Sequence, residues 1–135
     1  MSATIIPTLR YHDAAKAIKF LCEAFGFEKK AVFEDENGMV IHAELTHGNG
    51  MIMIGSTGFE SPFSKYMIHP DATAGRHTLT PFVVITDPDS HYEQAKNAGA
   101  EILLPLTEQS YGGKDYSCKD PEGYVWSFGS YDPWQ

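Results

Sequence analysis

Asp120-Pro121-Glu122-Gly123-Tyr124-Val125-Trp126-Ser127-Phe128-Gly129 decides how the rest of the chain reads. Pro121 presets φ for the first corner of a tight turn, and Gly123 tolerates the positive φ such a reversal often needs. The β-branched and aromatic residues after the turn predict a strand. Its side chains alternate, so Tyr124, Trp126 and Phe128 share one face while Val125, Ser127 and Gly129 share the other. The aromatic face needs a cover, which a helix can supply. The smaller face is left to line a cavity whose other walls come from upstream.

Moving outward, Asp115 to Cys118 and Glu101 to Leu106 read as strands, with a turn at Gly112-Gly113 between them. Before them, Asp87 caps a helix with Pro88 at its first position; Tyr92, Ala95 and Ala98 mark its face and Gly99 ends it. Leu79 to Ile85 is the strand that leads in. The same order opens the chain. Thr4 to Arg10 is β-rich, Asp13 caps, and Ala14, Ala17, Ile18, Leu21 and Phe25 recur at helical spacing until Gly26, predicting a helix over 13–25. Phe27 to Glu34, Met39 to Thr46 and Met51 to Ile54 follow as strands, with turns at Asp35–Gly38 and His47–Gly50.

The two caps lie 74 residues apart and the two helix-ending glycines 73. Two tandem βαβββ units account for this. The expectation is an α+β fold of two four-stranded antiparallel sheets curving around a shared cavity, helices outside. It forms a single domain with units at 1–55 and 77–135. Residues 56–76 join them without clean periodicity. Phe59, Phe63, Tyr66, Met67 and Ile68 make that linker too apolar for a plain tether, and irregular segments of this length are often functional or cover a partner surface.

A net charge of −8 with scattered Lys and Arg disfavours a phosphate-backbone partner, so no nucleic acid is expected. No run of about 18 apolar residues is present, so no membrane partner is expected. The opening residues carry no signal-peptide pattern. Cys22 and Cys118 have no zinc-type spacing and read as reduced thiols, which suits a cytoplasmic protein.

Paired βαβββ units, Leu9-Arg-Tyr-His-Asp-Ala14 leading into a helix that ends Phe25-Gly-Phe27, and Asp120-Pro-Glu-Gly before the last strand resemble the vicinal oxygen chelate superfamily. That group includes glyoxalase I, bleomycin and fosfomycin resistance proteins and extradiol dioxygenases. The closing Trp126-Ser-Phe-Gly-Ser-Tyr-Asp-Pro-Trp134 is similar to its large glyoxalase/bleomycin resistance-like subgroup. Fold alone does not give function.

The resemblance implies one divalent metal held by His and Glu from four strands. Carried over one at a time, those positions fall on Ile6, Glu44, Thr80 and Ser127, and only Glu44 is a strong donor. The usual site is therefore expected to be lost and no cofactor is assigned. Should a divalent metal such as Zn, Ni, Mn or Fe bind, the shifted set is His42, Glu44 and His77. His42 and Glu44 lie two apart on one strand face and are the candidate catalytic or ligand-orienting pair; an inward Glu44 would have a raised pKa if desolvated. Ile6, Thr80, Phe82, Tyr116 and Ser127 are the candidate ligand-binding residues. His12, His47, His69 and His91 read as solvated surface histidines. The first functional reading is a metal-independent protein binding a small organic molecule in the cavity, in a homodimer as the bleomycin resistance type implies. The alternatives are a metal-dependent glyoxalase-like lyase or dioxygenase, and a non-catalytic dimeric interaction module.

Overall fold

Each half of the chain starts its first strand directly after a proline. In the computed structural model, which describes residues 3–135, β1 (Thr8–Tyr11) follows Pro7 and β5 (Phe82–Val84) follows Pro81. Proline has no N–H for a ladder but keeps its carbonyl. Met53 N–H donates to Pro7 O (3.0 Å), and Ser127 N–H donates to Pro81 O (3.1 Å). Both strands are thus shorter than expected, and Ile6 and Thr80 lie just upstream of their ladders. Met1 and Ser2 of the expected 1–55 unit lie outside the described residues.

In the first unit α1 (Ala14–Phe25), β2 (Glu28–Glu34), β3 (Val40–His47) and β4 (Gly50–Ser56) follow β1. In the second, α2 (Pro88–Asn97), β6 (Glu101–Glu108), β7 (Lys114–Lys119) and β8 (Val125–Gly129) follow β5. Both helices begin where their caps predict: Asp13 accepts from Lys16 N–H and Asp87 from Ser90 N–H. Gly26 ends α1 at φ 85°, a left-handed conformation that a Cβ would strain.

The sheets are β1-β4-β3-β2 and β5-β8-β7-β6. They stay separate four-stranded sheets, and neither is wholly antiparallel as expected: β1 runs parallel to β4, and β5 to β8. Strand parity explains this. The helix returns the chain so that β2 runs with β1, and two hairpins then bring β4 back in that direction.

The aromatic face of β8 is covered as expected, by both units: His91 of α2 lies 4.5 Å from Phe128, and the end of α1 packs beside it. Trp126 and Phe128 are fully buried, with Phe25 at the end of α1 5.6 Å from Trp126 and 4.6 Å from Phe128 between ring centroids. Phe27 meets Trp126 edge-on at 5.6 Å. Each such side chain contributes roughly 1.5–3 kcal/mol by leaving water. The helices α1 and α2 also pack together, so the units share one core on their helix sides. Ala95 is buried in it, whereas Ala98, expected on the same face, is exposed at the helix end. The linker carries two 3-10 turns, Ser64–Tyr66 and Pro70–Ala72.

Candidate functional site

The β7–β8 turn reaches across to the other unit. Asp120 is 4% exposed, and its carboxylate accepts four hydrogen bonds. Two come from its own turn, Glu122 N–H and Tyr124 N–H (3.1 and 3.0 Å). The others come from Trp126 Nε1–H (3.1 Å) and from Tyr11 Oη–H in the first unit (2.6 Å). Burial pushes Asp120 up and these four donors oppose it, burial prevailing. Glu122 accepts from the backbone N–H of His12 and Asp13 (2.6 and 2.9 Å). Tyr124 Oη donates to Arg10 O (2.8 Å) and accepts from Arg10 N–H (3.2 Å). Among the described residues, those Arg10 groups lie on the edge of β1 that no strand pairs, so Tyr124 takes the place of a neighbouring strand. This seam between the units is closed.

The strand registers define the counterpart seam. Thr8, Met53 and Glu44 lie abreast in the first sheet as Phe82, Ser127 and Ser117 do in the second. By that register Asp120 corresponds to His47, Tyr124 to Gly50, and Arg10 to Val84. The β3–β4 turn is one residue shorter, with only Gly48 and Asn49 between His47 and Gly50. Gly50 has no side chain to lay along β5, and no carboxylate caps the start of α2 from this turn. A cleft of about 500 Å³ remains, walled by Ile5, Pro7 and Met51 from the first unit and Phe82, Val84 and Trp134 from the second, with His47, Asn49 and Asp132 as polar groups. A further hollow of about 380 Å³ continues from His47 and Gly48 to Thr86 and Ser90. The larger volume lies within the range of small-molecule pockets. A groove of about 210 Å³ beside Tyr11, Lys16 and Asp120 lies below it.

The residues singled out in the sequence are spread over several places. Phe82 walls the open seam. Glu44 lies on the open face of the first sheet, where its carboxylate meets His42 Nε2 (3.0 Å) and Lys30 Nζ (3.4 Å). These partners, His42 first, hold Glu44 below the usual carboxylate range, opposite to the rise expected of a desolvated base. Arg10 Nη2 donates to the carbonyls of Ser56, Thr57 and Phe59 (3.0, 3.2 and 2.6 Å) and pins the start of the linker. His42 borders a hollow of about 210 Å³ that Phe63 and Met67 of the linker overhang. Ser127 shares a hydrogen bond with Ser117 (Oγ–Oγ 2.7 Å). Ile6 is half-buried and Thr80 exposed.

Two expectations are corrected. Tyr116 does not line a pocket: it is 1% exposed, on the β7 face shared with Cys118 that turns toward α2, where burial raises its pKa. His77 does not join His42 and Glu44; its Nε2 contacts Gly123 O (3.1 Å) and its ring stacks on Tyr124. Nor do the four positions carried over from the resemblance fit a metal, because Ile6 has no donor, Ser127 is engaged by Ser117, and Thr80 is a weak ligand off the ladder.

Three histidines expected at the surface are structural. His91 Nε2–H and His47 Nε2–H both donate to Phe25 O (2.8 Å each), satisfying a carbonyl at the end of α1. With Nε2 protonated, the neutral His91 ring accepts from Tyr116 Oη–H at Nδ1 (2.6 Å). Burial is the largest influence on His91 and lowers its pKa. His69, whose side chain is 7% exposed, contacts Glu122 Oε1 through Nε2 (2.8 Å). Its ring stacks on His12 at 3.7 Å, and His12 Nε2 contacts Asp71 Oδ2 (2.6 Å). Among the described residues, His12, His69 and Glu122 are the group whose donors converge as a metal's ligands would. Their separation in sequence, more than 100 residues between first and last, hid this from any local pattern.

The family model of the Glyoxalase/Bleomycin resistance protein/Dioxygenase superfamily matches residues 5–128. An uncharacterized protein of Mycobacterium tuberculosis is 29% identical over 133 residues, covering 96% of this chain and 77% of that one. The crystal structure of TioX from Micromonospora sp. ML1 is similar at 30% identity and a TM-score of 0.72, covering 94% of each chain. A bleomycin-binding protein from Streptomyces verticillus, solved with copper(II)-bleomycin, shares the fold at 20% identity and a TM-score of 0.65, covering 98% of each.

Proposed function

The chain belongs to the glyoxalase/bleomycin resistance protein/dioxygenase superfamily, and we propose that it binds a small organic molecule in the open seam between its units, without the superfamily's usual metal. The observation that carries this reading is the break in the internal repeat. Where Tyr124 closes one seam, Gly50 leaves the other as a cleft of about 500 Å³ beside Phe82 and Trp134. A flat, partly apolar ligand suits those walls. The bleomycin-binding relative supports a binding role within the same fold.

The net charge of −8 favours a ligand with cationic character through steering. Glu44, held in its ionised form by His42 and Lys30 on the open face of the first sheet, adds to that steering charge rather than accepting a proton. Ile6, Thr80 and Ser127 adjoin wall residues Ile5, Pro81 and Trp126 in sequence and shape the cavity's edge, Thr80 being the hydrogen-bonding group left available because Ser127 is engaged by Ser117. The units 1–55 and 77–135, with the linker 56–76, act as one domain. Two copies pair; Ile5 and Trp134 at the cleft rim, 93% and 94% exposed, are apolar surface that a second copy would cover. The protein works in the cytoplasm.

The reading is tested by amide NMR mapping of a panel of aromatic amines and of metal-free bleomycin. Binding shifts the resonances of Met51, Phe82 and Val84, and Phe82→Ala weakens it about ten-fold or more. Shifts confined to the α1 groove, or unchanged affinity in Phe82→Ala, would overturn it.

A further inference from the structure

The seam closed by the β7–β8 turn also gathers two histidines and two carboxylates where the linker meets both units. We infer that His12, His69 and Glu122 bind one divalent transition-metal ion of the Zn²⁺ class, with Asp71 orienting the histidines. His12 follows β1, His69 and Asp71 lie in the linker, and Glu122 sits in the turn before β8, so the ion ties three segments together. One ligand atom from each of the three lies within 4.8 Å of the others. Bound to Zn²⁺ at about 2.0–2.2 Å in a tetrahedral site, such atoms stand roughly 3.3–3.6 Å apart, so closing the site takes shifts of about 1 Å. Two imidazoles and a carboxylate are a donor set this ion takes readily.

The surroundings favour it as well. His69 presents Nε2 toward Glu122 Oε1 (2.8 Å) and Nδ1 toward Asp71 Oδ1 (3.2 Å). Here Nδ1 accepts the Asp71 N–H that caps the Pro70–Ala72 turn (3.1 Å), so a metal at Nε2 shifts the ring proton to Nδ1 and exchanges that cap for a bond to Asp71 Oδ1, the arrangement by which a carboxylate orients a ligating histidine. Asp71 and Glu122 together supply the charge that matches a dication. His12 is the ring that has to move. The two rings stack at 3.7 Å with 21° between their planes, and lone pairs lying in parallel planes cannot meet at one ion. His12, with its side chain half exposed, is held by Thr57 Oγ1 (2.7 Å) and Asp71 and can turn without disturbing the core. Metal binding therefore opens the stack. This site is apart from Ile6, Glu44, Thr80 and Ser127 and stands whatever ligand the open seam takes.

The test uses untagged protein stripped with EDTA and titrated calorimetrically with Zn²⁺. One ion per chain is expected, together with a rise in Tm and a shift of the His12 and His69 ring resonances as the stack opens. His69→Ala and Glu122→Gln each weaken binding about ten-fold or more, while Glu44→Gln leaves it unchanged. If His69→Ala does not fold, the exposed His12→Gln carries the same expectation. Stoichiometry below about one-tenth, affinity unchanged in His12→Gln and Glu122→Gln, or zinc lost on Glu44→Gln would each overturn the assignment.

Discussion

The two seams between the units start from equivalent positions and end differently. At one, Asp120, Glu122 and Tyr124 bind Tyr11, the start of α1 and the free edge of β1. At the other, His47 turns inward to the carbonyl of Phe25, Gly50 offers nothing to β5, and a cleft is left. The backbone repeat and the shared aromatic core are common to both halves. What separates a joint from a candidate binding site is one inserted residue and the side chains of a single turn. In this repeat, loss of symmetry points to function more directly than the repeated features do.

The closed seam is the place where stability is most easily broken. Asp120→Ala strands the Tyr11 hydroxyl, the Trp126 indole N–H and two backbone amides, and is expected to cost about 3–5 kcal/mol in urea unfolding. Tyr124→Phe removes only the hydroxyl that bonds Arg10 N–H and O, for a loss of about 1–2 kcal/mol. If Asp120→Ala costs no more than Tyr124→Phe, the turn is not the joint described here.

A smaller effect follows from His91. Its pKa is lowered by burial, so the folded state binds fewer protons than the unfolded chain near neutral pH. The stability it contributes is full above its unfolded value of about 6.5 and is lost as pH falls through the lowered value. Asp120, raised by burial, acts in the opposite sense, its contribution being lost as pH rises above the ordinary carboxylate value. Between about pH 7.5 and 5.5, Tm should fall in the wild type and fall less in His91→Gln. Glu44→Gln is the smallest perturbation, expected to leave Tm unmoved because Glu44 sits on an open sheet face with partners partly in water.

Much of the fold could be read from local signals. Asp13, Asp87, Gly26 and Gly99 mark the helices, and their spacing exposes the repeat. The alternation in Tyr124–Phe128 correctly assigns the buried aromatic face. The site was less legible, because its meaning lies in partners far away in sequence. Glu122 and His12 are separated by 110 positions, and nothing near either residue says that they meet. His91 looked like a surface residue because its helix is polar, yet it is anchored by Phe25 O, 66 positions away. Tyr116 reads as a ligand-binding residue because it stands close to Gly112 and Gly113, although its place in the alternation of β7 sends it to the core. Comparing the two turns residue by residue would have flagged Gly50 opposite Tyr124, but only once the strand register was known.

The most direct test of the open-seam account is to close that seam. A Cβ at Gly50 meets nothing nearer than the His47 carbonyl at 3.4 Å, so Gly50→Tyr can be accommodated and would lay a ring along β5 as Tyr124 does along β1. With an aromatic amine that binds the wild type as the probe, Gly50→Tyr is expected to keep the wild-type Tm and lose binding by about 100-fold. A well-folded Gly50→Tyr protein that binds the same probe with wild-type affinity would contradict the account.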